Sequence, residues 1–206
     1  MAAAYAHFTT KGYRKTTLSE IANSLKMSKK TIYLLFQSKE GLFIEAGNWK
    51  MASLIKQGTE LIESDQTFIE KLIQYLELVY DNTRHVNIDV LKHIYHHPST
   101  LSKIIAEYLD GAVFSRFKSL IEQGEKEQMI DERIDIHVSL IMFKETLESY
   151  LFGSSSSYST QTHEKEFHVF MCIQLRSFFR CLLSKKGTII FDELLDQRAH
   201  LTRAYA

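Results

Sequence analysis

Apolar positions recur along the chain at three- and four-residue intervals, the spacing of a helix with one buried face. Ala4 and Phe8 stand four apart, and Gly12 followed by Tyr13 has the pattern of a left-handed C-cap with its apolar contact, so a first helix is predicted to stop near Lys11. Thr17-x-x-Glu20 is a capping box. Leu18, Ile21, Ala22 and Leu25 follow it at helical spacing, which predicts a second helix of about two turns. Ser28 offers another N-cap directly afterwards, so the connection is a tight turn, and Ile32 with Phe36 supplies the buried face of a third helix. Ser38 then caps a fourth.

The rest of the chain continues in longer helices. They are predicted over Lys39 to about Ile62 (carrying Leu42, Phe43, Ala46 and Leu54), Phe68 to Thr83, Ile88 to His97, and Leu101 towards Gln128. After Asp131, Ile136, Leu140, Phe143, Leu147 and Tyr150 mark a helix ending near Gly153, and GSSSSYSTQT reads as a flexible loop. Phe167, Met171, Leu175, Phe178 and Leu182 then form a continuous apolar stripe widened by Phe170 and Phe179. The tail has two readings, since TIIF from Thr188 is strand-like in composition while the residues after it are helix-like.

Composition agrees with an all-α, soluble globular protein. The 206 residues are 45% apolar and include a single proline and eight glycines, and no apolar run reaches the roughly 18 to 20 residues of a membrane span. The N-terminus lacks a charged start followed by an apolar stretch, so a cytoplasmic location is expected. Cys172 and Cys181 fall on about opposite sides of one helix, roughly 13 Å apart along it, and are expected to be reduced.

The overall charge of zero averages two unlike parts. Residues 1–50 hold eight lysines and arginines against three glutamates, a net of +5, leaving 17 basic and 22 acidic residues, a net of −5, for the remainder. A basic head on an acidic body points to an anionic partner for the head. Lys29 and Lys30 open the third helix, where cations oppose the helix dipole. Two short helices joined by a tight turn form a helix-turn-helix whose second member enters the major groove. In that setting Lys29 and Lys30 meet phosphates or base-edge acceptors, Lys39 meets the neighbouring phosphate strand, and Ile32 and Phe36 hold the helix to its own domain.

Residues 8–43, FTTKGYRKTTLSEIANSLKMSKKTIYLLFQSKEGLF, resemble the helix-turn-helix head of the tetracycline-repressor (TetR) family. Phe8, Gly12-Tyr13, Thr16-Thr17, Ile21-Ala22, Ser28, Thr31-Ile32-Tyr33, Phe36, Ser38-Lys39-Glu40 and Leu42 fall in order without a gap. The resemblance covers less than a quarter of the chain. It implies a three-helix DNA-binding domain over residues 1–47, with a larger helical domain for effector binding and dimerisation over 48–206. It also implies a homodimer on a pseudo-palindromic, double-stranded DNA operator, and a small-molecule effector, of unknown identity, that typically releases the DNA. Thr17, Ser28, Lys29, Lys30, Thr31, Tyr33 and Lys39 occupy positions that usually face DNA, while Leu18, Ile21, Ala22, Ile32 and Phe36 occupy the small core. Three departures stand out. Lys26 takes a turn position usually held by glycine, which forces a side chain into the left-handed region at a cost of about 1 kcal/mol. Leu35 replaces a tyrosine or histidine on a phosphate, so the operator contacts at Leu34-Leu35 are expected to be thinner. The basic leader usual before helix one is also lacking, so either the true start lies upstream or affinity relies more on Lys29, Lys30 and Lys39.

The body carries candidate sites of other kinds. Trp49, Tyr75, Tyr80, Tyr95, His96, Tyr108, Phe114, Phe117, Phe143 and Tyr150 are candidates to line an effector pocket, although each taken singly fits an ordinary core. In the TetR family the last two long helices build a four-helix dimer interface, which implies Leu140, Leu147, Tyr150, Phe167, Met171, Leu175, Phe178 and Leu182 here; internal core is the competing reading. His93 and His97 lie one turn apart, a spacing able to hold a metal, but Pro98 ends the helix there and histidines in a last turn complement its dipole. No metal, cofactor or catalytic residue is expected, because the chain has no HExxH, GxSxG, phosphate-cradling glycine loop or CxxC. The reading is therefore a dimeric transcriptional regulator, a repressor relieved by its effector. The alternative is a helical ligand-binding or scaffold protein whose head no longer binds DNA.

Overall fold

The computed structural model describes residues 1–87, 90, 93–94, 114–152, 166–198 and 201. Among these it is helical: α1 (Ala2–Lys11), α2 (Leu18–Ser24), α3 (Lys29–Phe36), α4 (Lys39–Glu63), α5 (Phe68–Thr83), α6 (Phe114–Lys126), α7 (Ile136–Phe152), α8 (Glu166–Leu182) and α9 (Lys185–Asp196). A lone antiparallel bridge joins Ile130 to Leu183. No described helix is long and apolar enough to cross a membrane. The chain divides into two compact units, Met1–Lys56 with His85–Tyr108, and Gln57–Arg84 with Leu109–Ala206.

The first unit has a small aromatic and aliphatic core. Ala4, Phe8, Leu18, Ile21, Ala22, Ile32, Leu42, Phe43 and Ala46 are buried. Phe8 meets Phe43 edge-on at 5.1 Å and lies parallel to Tyr13 at 5.9 Å. Gly12 donates its N–H to the Phe8 carbonyl as a C-cap should, but at φ 85°, ψ 158° it is extended rather than left-handed helical. Its carbonyl is turned to accept both the N–H and the hydroxyl of Thr16, and only glycine adopts that backbone without strain. The predicted caps at Thr17 and Ser28 form: Thr17 and Glu20 make the reciprocal capping box, and the Ser28 hydroxyl accepts from the Thr31 N–H.

In the second unit the core centres on α5. Phe68, Ile69, Leu72, Ile73 and Leu76 pack with Leu120, Ile121, Ile130, Leu175, Phe178, Phe179, Leu182, Phe191 and Leu195. A second capping box, Thr67 with Glu70, starts α5, and the Glu127 carboxylate accepts the Phe68 N–H at 3.0 Å. Lys71 is buried, yet its ammonium is satisfied by the Ile62 carbonyl at 2.7 Å and the Gln123 side-chain oxygen at 2.8 Å. The first part of the tail, Lys185–Asp196, is helix, because Ser184 caps α9 through the Gly187 N–H and Phe191 and Leu195, one turn apart, are fully buried. Burial at four-residue spacing overrides the strand-like composition of TIIF. The predicted helix 88–97, the start of that at 101 and the serine-rich loop lie outside the described residues, apart from Val90, His93 and Ile94.

The join between α3 and α4 is tight. Gln37 has φ 60°, ψ −37°, the Ser38 N–H reaches the Phe36 carbonyl at 2.6 Å in a γ-turn, and the Ser38 hydroxyl accepts from the Gly41 N–H. A Cβ on Gly41 would run into the Phe36 carbonyl oxygen, which is backbone and cannot swing aside. Gly41→Ala is therefore expected to lower stability by about 1 to 3 kcal/mol despite its better helix propensity, measured as a drop in the denaturant midpoint of the full chain; an equal or higher midpoint would refute this.

Candidate nucleic-acid interface

The turn between α2 and α3 is a Schellman motif. The Lys26 N–H reaches the Asn23 carbonyl at 3.1 Å and the Met27 N–H reaches the Ala22 carbonyl at 2.9 Å. Lys26, at φ 53°, sits in the left-handed region, as its place in the turn implies. This turn and the Ser28 cap fix where α3 begins and so where its two lysines point.

Along α3 only Ile32 is fully buried, while Lys29, Lys30, Tyr33, Leu34 and Leu35 are exposed. Among the described residues neither Lys29 nor Lys30 pairs with a carboxylate; the Lys29 ammonium lies 5.8 Å from the Tyr33 ring centroid. The Ser28 and Thr31 hydroxyls are 2.8 Å apart and engage each other. The Thr17 hydroxyl donates to Glu20 at 3.0 Å, and Lys11 pairs with the other oxygen of the same carboxylate at 2.9 Å. The hydrogen bond from Lys11, followed by those from Thr17, draws the Glu20 pKa from an ordinary 4.5 down to about 2. Lys11 is thereby neutralised locally, while Lys29 and Lys30 keep their charge available.

Lys39 is placed by an aromatic stack. Its ammonium lies 4.4 Å from the Tyr13 ring centroid and donates to the Arg14 carbonyl at 3.3 Å. Partial burial lowers its pKa, with Glu20 and Glu40 acting in the opposite sense. The imidazole of His93 stacks on Tyr13 at 3.4 Å and 9°; at such distances ring and ammonium need opposite faces of the phenol. His93 Nε2 lies 2.9 Å from a Glu40 carboxylate oxygen, and Phe43 closes the side edge-on at 5.3 Å. Burial, and then the hydrogen bond to Glu40, push the Tyr13 hydroxyl well above its ordinary pKa. Spacing along the chain offers His93 only a helix end or a metal. It gives no sign of the stack, because Glu40 and His93 are far apart in sequence and share no periodicity.

The other candidates are scattered. Trp49 is exposed in the first unit, tilted against Tyr5 at 6.4 Å. In the second unit Tyr75 and Tyr80 are half-buried beside Phe179 and His168, and Phe143 stacks on Phe178 at 4.5 Å. Tyr95, His96, His97 and Tyr108, and the side chains of Phe114, Phe117, Leu147, Tyr150 and Phe167, lie outside the described residues. Of the candidate dimer residues, Leu175, Phe178 and Leu182 are buried in the chain's own core, with Leu140 packed against it; Met171 is half-buried. The large apolar side chains exposed on these helices, among the described residues, are Val138, Ile141 and Met142 of α7 and Ile173 of α8. Neither Cys172 nor Cys181 is in a disulfide, and no group of three or more metal-ligating side chains occurs among the described residues.

Residues 1–46 match the family model for bacterial regulatory proteins of the tetR family. An uncharacterised HTH-type transcriptional regulator, YhgD of Bacillus subtilis strain 168, is 26% identical over 130 residues, 62% of this chain and 68% of the relative. Among solved structures, FadR from Bacillus subtilis in complex with stearoyl-CoA aligns over 90% of this chain and 96% of its own, with a TM-score of 0.57 and 20% identity. A transcriptional regulator from Cytophaga hutchinsonii aligns over 89% and 96%, with a TM-score of 0.60 and 18% identity. These structural likenesses carry the fold.

Because the folded pKa of Glu20 is depressed, its contribution to stability is full above about pH 4.5 and is lost as the pH falls towards 2. Glu20→Gln, which keeps a capping-box acceptor, is expected to be less stable than the parent at neutral pH and to converge on it as the pH is lowered through that window. Denaturant midpoints over a pH series check this; a constant difference would refute it.

Proposed function

We propose that this chain, a TetR-family transcriptional regulator, acts as a homodimeric repressor that holds a pseudo-palindromic operator and releases it when a small molecule binds. The observation that carries the reading is the first turn of α3. Two cations without carboxylate partners among the described residues stand where the helix dipole disfavours them, in the first turn of an element anchored by Ile32, with Lys30 on the edge opposite it. Duplex phosphates supply the missing anion. Lys29, Lys30 and Lys39 meet phosphates or base edges, Tyr33 flanks them, and Thr17, Ser28 and Thr31 add hydroxyls at the same surface.

Residues 1–47 serve DNA and 48–206 serve effector and partner. The dimer face is taken by Val138, Ile141, Met142 and Ile173 on the packed pair α7 and α8, the exposed apolar side chains of helices whose other faces are committed to the core. Tyr75, Tyr80 and Phe143 remain the described candidates for the effector wall, offering apolar surface and two hydroxyls. The effector acts through its differential affinity for DNA-competent and DNA-incompetent states, a coupling typically of about 1 to 3 kcal/mol. The chain catalyses no reaction of its own on this reading, and it works in the cytoplasm, where the DNA is.

Lys30→Glu is expected to weaken binding to a duplex carrying the region upstream of the chain's own gene, and to flatten the dependence of log affinity on log salt by about one for each phosphate that is no longer engaged. Unchanged isotherms across the salt series would sink the reading. Ile141→Glu combined with Met142→Glu is expected to shift the sedimenting species from dimer to monomer at micromolar concentration while leaving the helical circular dichroism intact. A parent chain that sediments only as monomer would refute the dimer.

A further inference from the structure

We propose that Leu34, with Leu35 beside it, is a base-reading residue that recognises the C5 methyl group of thymine in the major groove; this rests on the head binding duplex DNA as set out above. Leu34 is 74% exposed and Leu35 60%, against 1% for Ile32. At about 100° per residue Leu34 lies roughly opposite the Ile32–Phe36 edge, one turn beyond Lys30 on the same ridge, and Leu35 follows Thr31 in the same way. Neither leucine serves the core of its unit, and Leu34 continues the ridge that carries Lys30, while Lys29 lies on the flank of Tyr33.

Charge selects what covers them. The helix KKTIYLLF contains no acidic residue, Lys29 and Lys30 head it, exposed Lys26 precedes it and Lys39 follows it. An apolar centre inside a cationic rim is repelled by a second copy of itself, which would bring the same lysines face to face. Its complement is a groove walled by phosphates whose floor offers an apolar group, and in the major groove that group is the thymine methyl. Leu35, in place of a phosphate-contacting tyrosine or histidine, therefore does not merely thin the interface beside Leu34. It exchanges a contact indifferent to sequence for one that reads it.

The test starts from in vitro selection with the full chain on a duplex pool containing a randomised segment. The selected site is then resynthesised with uracil for thymine, one position at a time, which removes only the methyl group. The expected result is a thymine in each half-site at which uracil weakens binding by roughly fourfold per methyl. That sensitivity should disappear in Leu34→Ala or Leu35→Ala. Both side chains are solvent-facing, so the variants keep the fold. A selected site with no methyl-sensitive position, or sensitivity that persists in both variants, overturns the inference and leaves DNA binding standing. A pool in which no sequence is enriched overturns both.

Discussion

The head depends on how an eight-residue helix with one fully buried side chain is held in place. Ile32 alone cannot orient α3, and a helix this short is not stable by itself. Its ends do the positioning. At the N-terminal side a Schellman turn with Lys26 at φ 53° leads directly into the Ser28 cap; at the C-terminal side Gln37 at φ 60° forms a γ-turn that leads into the Ser38 cap of α4. Two residues with a Cβ thus take a positive φ at either end of the same helix, each at a cost on the order of 1 kcal/mol. That strain falls on the turns that aim Lys29, Lys30 and Leu34.

The second constraint on the head is aromatic. Phe8, Tyr13, Phe43 and His93 form one connected set of rings with centroids between 3.4 and 5.9 Å apart, and Lys39 lies over the outer face of Tyr13. Glu40, the residue after Lys39, ties to both His93 and Tyr13. The start of α4 is thereby held by a side chain from some fifty residues further along the chain, and the ammonium of Lys39 is carried on the same stack. A change at His93 would reach Lys39 through one ring.

In the second unit the burial of α5 organises everything else. Its N-terminus uses a capping box, a carboxylate from the residue that follows α6 and a buried lysine on a backbone carbonyl, so the polar groups at that end are satisfied from three directions. The apolar side chains of α8 and α9 then close over it. That choice of inner face leaves Val138, Ile141, Met142 and Ile173 outside, and it moves the proposed partner surface off Leu175, Phe178 and Leu182.

What the sequence by itself determined was local: the described helices before α9, the Thr17–Glu20 capping box, the Ser28 start of α3, the turn at Lys26 and the basic face of the head. Each is encoded within about five residues, by hydrogen bonds and periodicity that need no distant partner. What only the tertiary structure decided was non-local. A stripe such as 167–182 is apolar whether it faces its own core or a second subunit, so periodicity alone could not assign Leu175 and Phe178 to the core. TIIF became helical because Phe191 and Leu195 found a buried surface supplied by other helices. His93 met Glu40 and Tyr13 because the fold brought a remote segment there, and the exposure of Leu34 followed from which edge of α3 the rest of the head covered.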